Sequence, residues 1–247
     1  MERTKYILIL LLLICLSANA QTDYKTEIYK SFVNNDIPKW KSTIDQMNLQ
    51  SNKTNDDVLE LINYQYGYIA WCLGNDKNEE AEKYLKLITA NVERLEKQSY
   101  KPSYILSYKS ALIGFELGLA WYKAPFIGPK SITFAENAIK TDKTNPFGYI
   151  QYANSQYYMP ETFGGSKPLA IEYYKLAQMI MENDNYYLSN NWNYLNLLTT
   201  IAQAYTKVEN YELAKKYYEK IIKLEPNYNW VKKELYPELL KKMSHDK

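Results

Sequence analysis

The last quarter of the chain carries the spacing pattern that most constrains its fold. Large, small and aromatic side chains recur at helical spacing over two segments, 193–207 and 211–224, and a proline ends the pattern. The residues that carry it are Leu198, Ile201, Ala202, Tyr205, Ala214, Tyr218, Ile221 and Pro226. The period predicts two helices that pack closely, because a small residue on each accommodates an aromatic ring of the other. Since one such hairpin cannot bury its apolar faces alone, we expect related hairpins upstream.

Helical periodicity and turn residues divide the rest of the chain into further antiparallel helix pairs. These pairs are predicted at 24–34 with 38–49, 58–73 with 79–95, 103–122 with 131–140, and 145–158 with a helix from 168. Pro125, Gly128 and Pro129 are expected to end the first helix of the third pair. A last helix from residue 230 covers the final pair, and Pro237 within it predicts a kink or a break.

The final pair closely resembles the tetratricopeptide repeat family, and the second, third and fourth pairs resemble it in part. The resemblance implies an all-α, right-handed α-α superhelix of about five hairpins with a C-terminal capping helix. In that family the first helices line a concave groove, which holds peptides, partner proteins or occasionally small molecules. The resemblance implies no chemistry.

Carried onto this chain, the groove positions combine aromatic rings with amides. The candidate partner-binding residues are Tyr64, Tyr68, Trp71, Tyr122, Asn154, Tyr157, Tyr158 and Gln203, with Phe115 and Thr199 at further groove positions. Because the rings also recur at helical spacing, about half of them are expected in the core. Rings that face the groove would be typical of a binding hot spot.

The N-terminus has the features of a secretory signal peptide. Arg3 and Lys5 precede an apolar run, residues 6–16, that is too short to span a bilayer comfortably, and an A-x-A-like site ends at Ala20. We expect cleavage after Ala20 and one domain over residues 21–247, in the periplasm or outside the cell. Cys15 follows Ile14 rather than a small residue, which disfavours a lipoprotein.

Charge and reactive side chains disfavour several functions. Without residues 1–20 the chain has 28 basic and 27 acidic residues, scattered along it, whereas nucleic-acid binding usually needs a strongly basic face. The single histidine, His245, lies near the C-terminus, and Cys72 within an apolar helix is expected to be a buried hydrophobe. No spacing of metal ligands and no Gly-rich phosphate loop is present. We therefore expect no catalysis, no metal and no cofactor.

The loop at residues 160–167 is longer than the repeat needs. Gly164 and Gly165 could bring backbone N–H groups to an anion at the start of the next helix, with Ser166 and Lys167 beside it. Alternatively, the glycines supply the positive φ that closes an overlong turn, and Pro168 takes the first helical position. We favour the second interpretation.

The sequence predicts an exported, non-enzymatic scaffold that binds a segment of a partner protein in its concave groove. The alternative is a periplasmic small-solute or glycan-binding accessory of an uptake system. Residues 145–170 support it, because they resemble a segment of exported bacterial proteins with such repeats, some of which help solute uptake. An open groove lined by rings and amides favours the peptide, whereas a closed pocket of about 300 Å³ or more favours the solute.

Overall fold

The computed structural model describes residues 23–245, and every regular element within them is helical. The all-α prediction is therefore confirmed. The predicted signal peptide, residues 1–20, lies outside the described residues. The α-helices of the described part are α1 (Tyr24–Asn34), α2 (Ile37–Leu49), α3 (Asn55–Gly74), α4 (Asn78–Lys97), α5 (Pro102–Leu119), α6 (Ala124–Thr141), α7 (Pro146–Tyr158), α8 (Lys167–Glu182), α9 (Asn185–Leu188), α10 (Trp192–Lys207), α11 (Tyr211–Leu224) and α12 (Tyr236–His245).

Short polar side chains begin many of these helices. At the start of α3, Thr54 Oγ1 accepts a hydrogen bond from the Asp57 N–H, while the Asp57 carboxylate accepts one from the Thr54 N–H. Ser166 and Asn210 likewise accept from backbone N–H groups in the first turns of α8 and α11. Each cap satisfies a donor that the first helical turn leaves without an intrahelical partner. The helix starts thus follow from local sequence.

Consecutive helices pack as pairs joined by short turns. The pairs are α1 with α2, α3 with α4, α5 with α6, α7 with α8, and α10 with α11. The first helices of the middle pairs, α3, α5 and α7, contact one another in order, and α12 covers α11. This is the predicted arrangement of five hairpins with a C-terminal capping helix.

The array closes on itself through contacts between its two ends. Helix α10 contacts α1, and Trp192 of α10 meets Trp40 of α2 over the same glycine of α3. A Cβ on that glycine, Gly67, would lie 2.6 Å from Trp192 Cη2 and 2.7 Å from Trp40 Cζ2. Trp192 Nε1 also donates to Asn63 Oδ1 of α3 at 2.9 Å. Because α3 and α10 belong to pairs far apart in sequence, these contacts join the last hairpin to the first two.

The structure corrects the prediction for the third pair. Helix α5 ends at Leu119, and α6 begins at Ala124, well before the predicted start at Ser131. Pro125 lies in the first turn of α6, where a missing N–H costs no intrahelical bond. Pro129 lies inside the helix, where its missing N–H removes the bond to the carbonyl oxygen of residue 125 and the helix nevertheless continues. Both prolines therefore lie within α6 and do not shift its start to Ser131.

The chain does not break near Pro237, because the residues from 229 to 245 are continuously helical. The chain forms a π-helix over Val231–Leu235, in which the Tyr236 N–H donates to the Val231 carbonyl oxygen, and α12 follows directly. Pro237 follows the π-helix by two residues, so its missing N–H falls where the backbone hydrogen-bond pattern changes from π to α.

Candidate partner-binding site

The three aromatic candidates on α3 lie in or against the core. Tyr64 and Tyr68 are buried, and their hydroxyls donate to the carboxylates of Glu60, at 3.4 Å, and Glu80, at 3.2 Å. Trp71 is half-buried and stacks on Tyr68, with ring centroids 6.2 Å apart. Packing accounts for these positions, and Tyr64 and Tyr68 present almost no surface to a partner.

A recess lies between α3, α7, α8 and α10, on the inner side of the array. Its volume is about 30 Å³, which is room for about two water molecules. Apolar side chains and hydrogen-bonding groups share its wall. The lining residues are Tyr66, Phe147, Ile150, Asn154, Tyr174, Asn193, Asn196, Leu197 and Thr200. Asn154 is thus the one predicted partner-binding residue that lines the recess, and α3 contributes Tyr66 rather than Tyr64 or Tyr68.

Asn154 links α7 to two neighbouring helices through hydrogen bonds. Its Oδ1 accepts from the Tyr174 hydroxyl at 2.6 Å, and its Nδ2 donates to Gln151 Oε1 at 3.2 Å and to the Tyr66 hydroxyl oxygen at 3.4 Å. Burial raises the pKa of both phenols, so both hydroxyls stay protonated at neutral pH. Gln151 is buried, and its Nε2 has no hydrogen-bond partner within residues 23–245. The Asn154 hydrogen bonds therefore tie α7 to α3 and α8 at the wall of the recess.

Helix α10 forms the opposite wall of the recess with an amide and a hydroxyl. Asn196 and Thr200 line the recess, and the half-buried candidate Gln203 follows them at helical spacing. Thr199, also expected at the groove, is buried instead, and its hydroxyl donates to the Leu195 carbonyl oxygen at 2.8 Å. Thr200, rather than the predicted Thr199, therefore lies on the recess side of α10.

The remaining aromatic candidates lie at the ends of first helices. Tyr157 is half-buried and Tyr158 is 76% exposed at the end of α7, with ring centroids 5.0 Å apart. Tyr122 lies beyond the end of α5, in the 3-10 helix Trp121–Lys123, and is 64% exposed. Its predicted place on the groove face of α5 is wrong, because that helix ends at Leu119.

Helices α10 and α11 show the packing that their spacing predicts. Ala202 and Ala214 are fully buried, and the rings of Tyr205 and Tyr217 lie 5.7 Å apart between the two helices. Residues 195–228 match the tetratricopeptide repeat family. The match covers most of α10 and all of α11. No curated protein matches the chain.

The loop before α8 serves to close a long turn between two helices of this tetratricopeptide-like array. The N–H groups of Gly164, Gly165 and Ser166 all donate to backbone carbonyl oxygens of residues 156–161. Gly164 has a φ of +94°, and a Cβ at Gly165 would overlap the Met159 carbonyl oxygen. The N–H groups that an anion would need are therefore already in use, and the turn-closing interpretation is the one that the geometry supports.

Reactive side chains are scarce around the tetratricopeptide repeat and in the rest of the described chain. Within residues 23–245, no group of three or more His, Cys, Asp and Glu residues could hold a metal ion. Burial raises the pKa of Cys72 to about 11, so its thiol stays protonated at neutral pH. Burial also raises the pKa of Glu60, whose carboxylate accepts from the Tyr64 and Tyr186 hydroxyls. None of the helices between residues 23 and 245 has the length and apolar character needed to cross a membrane.

Proposed function

We propose that the protein is an exported, non-enzymatic scaffold that holds an extended segment of a partner protein along α7 and α10. The repeat match supports a scaffold, because tetratricopeptide repeats commonly mediate protein–protein interactions and are generally not catalytic. The proposal of export, to the periplasm or out of the cell, rests on the N-terminal sequence pattern alone.

The row of hydrogen-bonding side chains on the inner faces of α7 and α10 carries the proposal. Asn154 on α7 and Asn196 and Thr200 on α10 lie around the recess, whose wall also has apolar side chains. An extended peptide offers a donor and an acceptor at each residue, and the Asn196 amide can supply both counterparts, whereas Asn154 has a free acceptor position but both of its Nδ2 hydrogens in use. Tyr157 and Gln203 continue the row towards the C-terminal ends of the two helices, so a bound segment would lie across the opening of the recess.

The size of the recess favours a peptide over a free solute. Small-molecule sites commonly have volumes of about 300–1,000 Å³, whereas this recess has about 30 Å³. A sugar ring cannot enter a space of that size unless the helices move apart. A peptide needs no such space, since its backbone can lie on the surface and send at most one small group inward.

A photo-crosslinking experiment tests the proposal. We expect p-benzoylphenylalanine at Gln203, on the rim, to capture a discrete protein in the source cells. The double variant Asn196→Ala/Thr200→Ala should abolish the product, because it removes the amide and the hydroxyl from the α10 wall.

The matched control is Thr133→Ala/Asn137→Ala on α6. It has the same residue types at the same spacing on an exposed face, and each threonine donates to the carbonyl oxygen four residues earlier. The control should retain the crosslinked product. No product at position 203, or equal loss in both double variants, would contradict binding along α10.

A further inference from the structure

The turn between α5 and α6 exposes three aromatic rings to solvent. Trp121 is 81% exposed, Tyr122 64% and Phe126 83%. The only charged residues in the surrounding stretch, 117–135, are Lys123 and Lys130, and it contains no carboxylate. Neither lysine forms an ion pair within residues 23–245. The turn itself therefore presents exposed rings and two lysines, and the nearest carboxylates in sequence are those of the exposed Glu116 and Glu136 on either side of it.

This surface lies on one edge of the array, where each first helix turns into its second helix. The next such turn, between α7 and α8, adds Phe163, which is 72% exposed and lies near an ion pair of Glu161 with Lys167 at 3.5 Å. Adjacent packed helices lie about 8–10 Å apart, so rings on neighbouring turns can act together. The corresponding turns after α3 and α10 carry exposed polar and charged residues instead, among them Asp76 and Glu209. We call Trp121, Tyr122, Phe126 and Phe163 the aromatic edge.

We propose that the aromatic edge docks the protein on the surface of a membrane that contains anionic lipid. Trp and Tyr favour the boundary between headgroups and acyl chains, where their rings are buried and their polar atoms stay hydrated. Lys123 lies between Tyr122 and Phe126 in sequence, Lys130 follows Phe126 by one helical turn, and both can attract anionic headgroups. Ring insertion and charge attraction together are the two contributions that hold proteins at membrane surfaces without a spanning helix.

The charge of this surface favours lipid over a second copy of the chain. In a symmetric dimer built on this edge, Lys123 and Lys130 would approach the same lysines of the partner copy, and like charges would oppose association. Membrane docking goes beyond the scaffold function, because it uses turn residues of α5–α6 and leaves Asn196 and Thr200 on the inner face free.

Vesicle sedimentation of residues 21–247 tests the proposal. We expect the protein to bind vesicles of equal parts phosphatidylcholine and phosphatidylglycerol at low ionic strength, and to bind pure phosphatidylcholine more weakly. Trp121→Ala/Phe126→Ala should lose most of this binding. Lys123→Ala/Lys130→Ala should weaken binding to the anionic vesicles by about fivefold for each lysine and leave binding to phosphatidylcholine nearly unchanged.

Two control variants separate the aromatic edge from exposed apolar surface in general and from the recess. Leu49→Ala/Leu224→Ala changes exposed apolar side chains elsewhere and should bind vesicles like the wild type. Asn196→Ala/Thr200→Ala should also bind normally, so failure of the scaffold proposal and failure of this one are distinguishable. All changed side chains of the edge are exposed, so the variants should keep the wild-type circular dichroism spectrum and melting temperature.

Tryptophan fluorescence locates the contact directly. Brominated phosphatidylcholine in the anionic vesicles should quench part of the emission, and Trp121→Phe should remove that quenching while vesicle binding persists. Absence of vesicle binding, or binding that Trp121→Ala/Phe126→Ala does not weaken, would overturn the proposal. A third result would also overturn it: the protein does not bind vesicles, and Trp121→Ala/Phe126→Ala converts a dimer to a monomer or loses a crosslinked protein. The aromatic edge would then be a protein interface.

Discussion

Trp192 at the start of α10 lies against Trp40 of α2, with ring centroids 5.1 Å apart and ring planes at 72°. This edge-to-face contact joins the last hairpin to the first across the inner side of the array. Both rings also meet Gly67 of α3, and Phe32 of α1 contacts both of them. The N-terminal hairpin therefore packs against both α3 and α10. The recess lies next to these contacts, between α3, α7, α8 and α10.

Removing one of these rings should destabilise the whole chain. We expect Trp192→Ala to lower the free energy of unfolding by about 3–5 kcal/mol, because a large buried ring is replaced by a cavity. Trp121→Ala, at a ring that is 81% exposed, should change it by less than about 0.5 kcal/mol. Urea unfolding followed by circular dichroism measures both values, and similar losses in the two variants would show that Trp192 does not close the array.

Two glycines in helices should respond oppositely to alanine. At Gly67 the added methyl would overlap both tryptophan rings, so we expect Gly67→Ala to cost about 1–3 kcal/mol of stability. At Gly114 in α5 nothing lies within 4 Å of the added Cβ, so Gly114→Ala should gain about 0.5–1 kcal/mol by helix propensity. Thermal unfolding of the two variants checks the pair, and a stabilised Gly67→Ala would mean that the rings lie elsewhere.

The hairpins could be predicted from the sequence because their causes are local. Helical periodicity predicts α10 at 193–207 and α11 at 211–224, and the structure places them at Trp192–Lys207 and Tyr211–Leu224. The one-turn helix α9 gave no periodic signal, since four residues are too few to show one. Pro125 misled because a proline is tolerated in the first turn of a helix, and Pro129 because α6 continues past a proline in its interior.

The groove could not be assigned in the same way, because it depends on contacts between residues distant in sequence. Tyr64, Tyr66 and Tyr68 are equally aromatic, and nothing local distinguishes the one that faces the recess. Their orientation is fixed by Asn63, whose Oδ1 accepts from Trp192 Nε1 and from Asn193 Nδ2 of α10, both at 2.9 Å. The sequence of α3 alone does not indicate which residues, more than a hundred positions later, it will contact.

Cys72 should be inert in the folded protein. Burial raises the pKa of its thiol to about 11 from the usual 9.0, so the thiolate that reacts with disulfide reagents is scarce. We expect reaction with 5,5′-dithiobis(2-nitrobenzoate) at pH 8 to be far slower in buffer than in guanidinium chloride. Because the folded pKa is the higher one, the protonated thiol's contribution to stability is complete below pH 9 and falls as the pH rises towards 11. Equal rates in the two solvents would contradict burial of Cys72.

Export should leave a new N-terminus at Gln21. If the signal peptide is cleaved after Ala20, mass spectrometry of the protein from its source cells should find a chain that begins at Gln21. The variant Ala18→Leu/Ala20→Leu should block cleavage, because the enzyme that removes signal peptides needs small residues there. An intact Met1 in the mature protein, with the chain retained inside the cell, would remove the support for export.

The closed array is the central claim, and crosslinking its two ends tests it most directly. Asn190, just before α10, donates from Nδ2 to Thr26 Oγ1 of α1 at 3.3 Å, although 164 residues separate them. In a Cys72→Ala background, Thr26→Cys/Asn190→Cys should form an intramolecular link with a short bismaleimide reagent, seen as faster migration on a denaturing gel. Thr26→Cys/Asn137→Cys should not. Failure of the first pair to link, in a protein that keeps its helical spectrum, would show an open array and contradict this account.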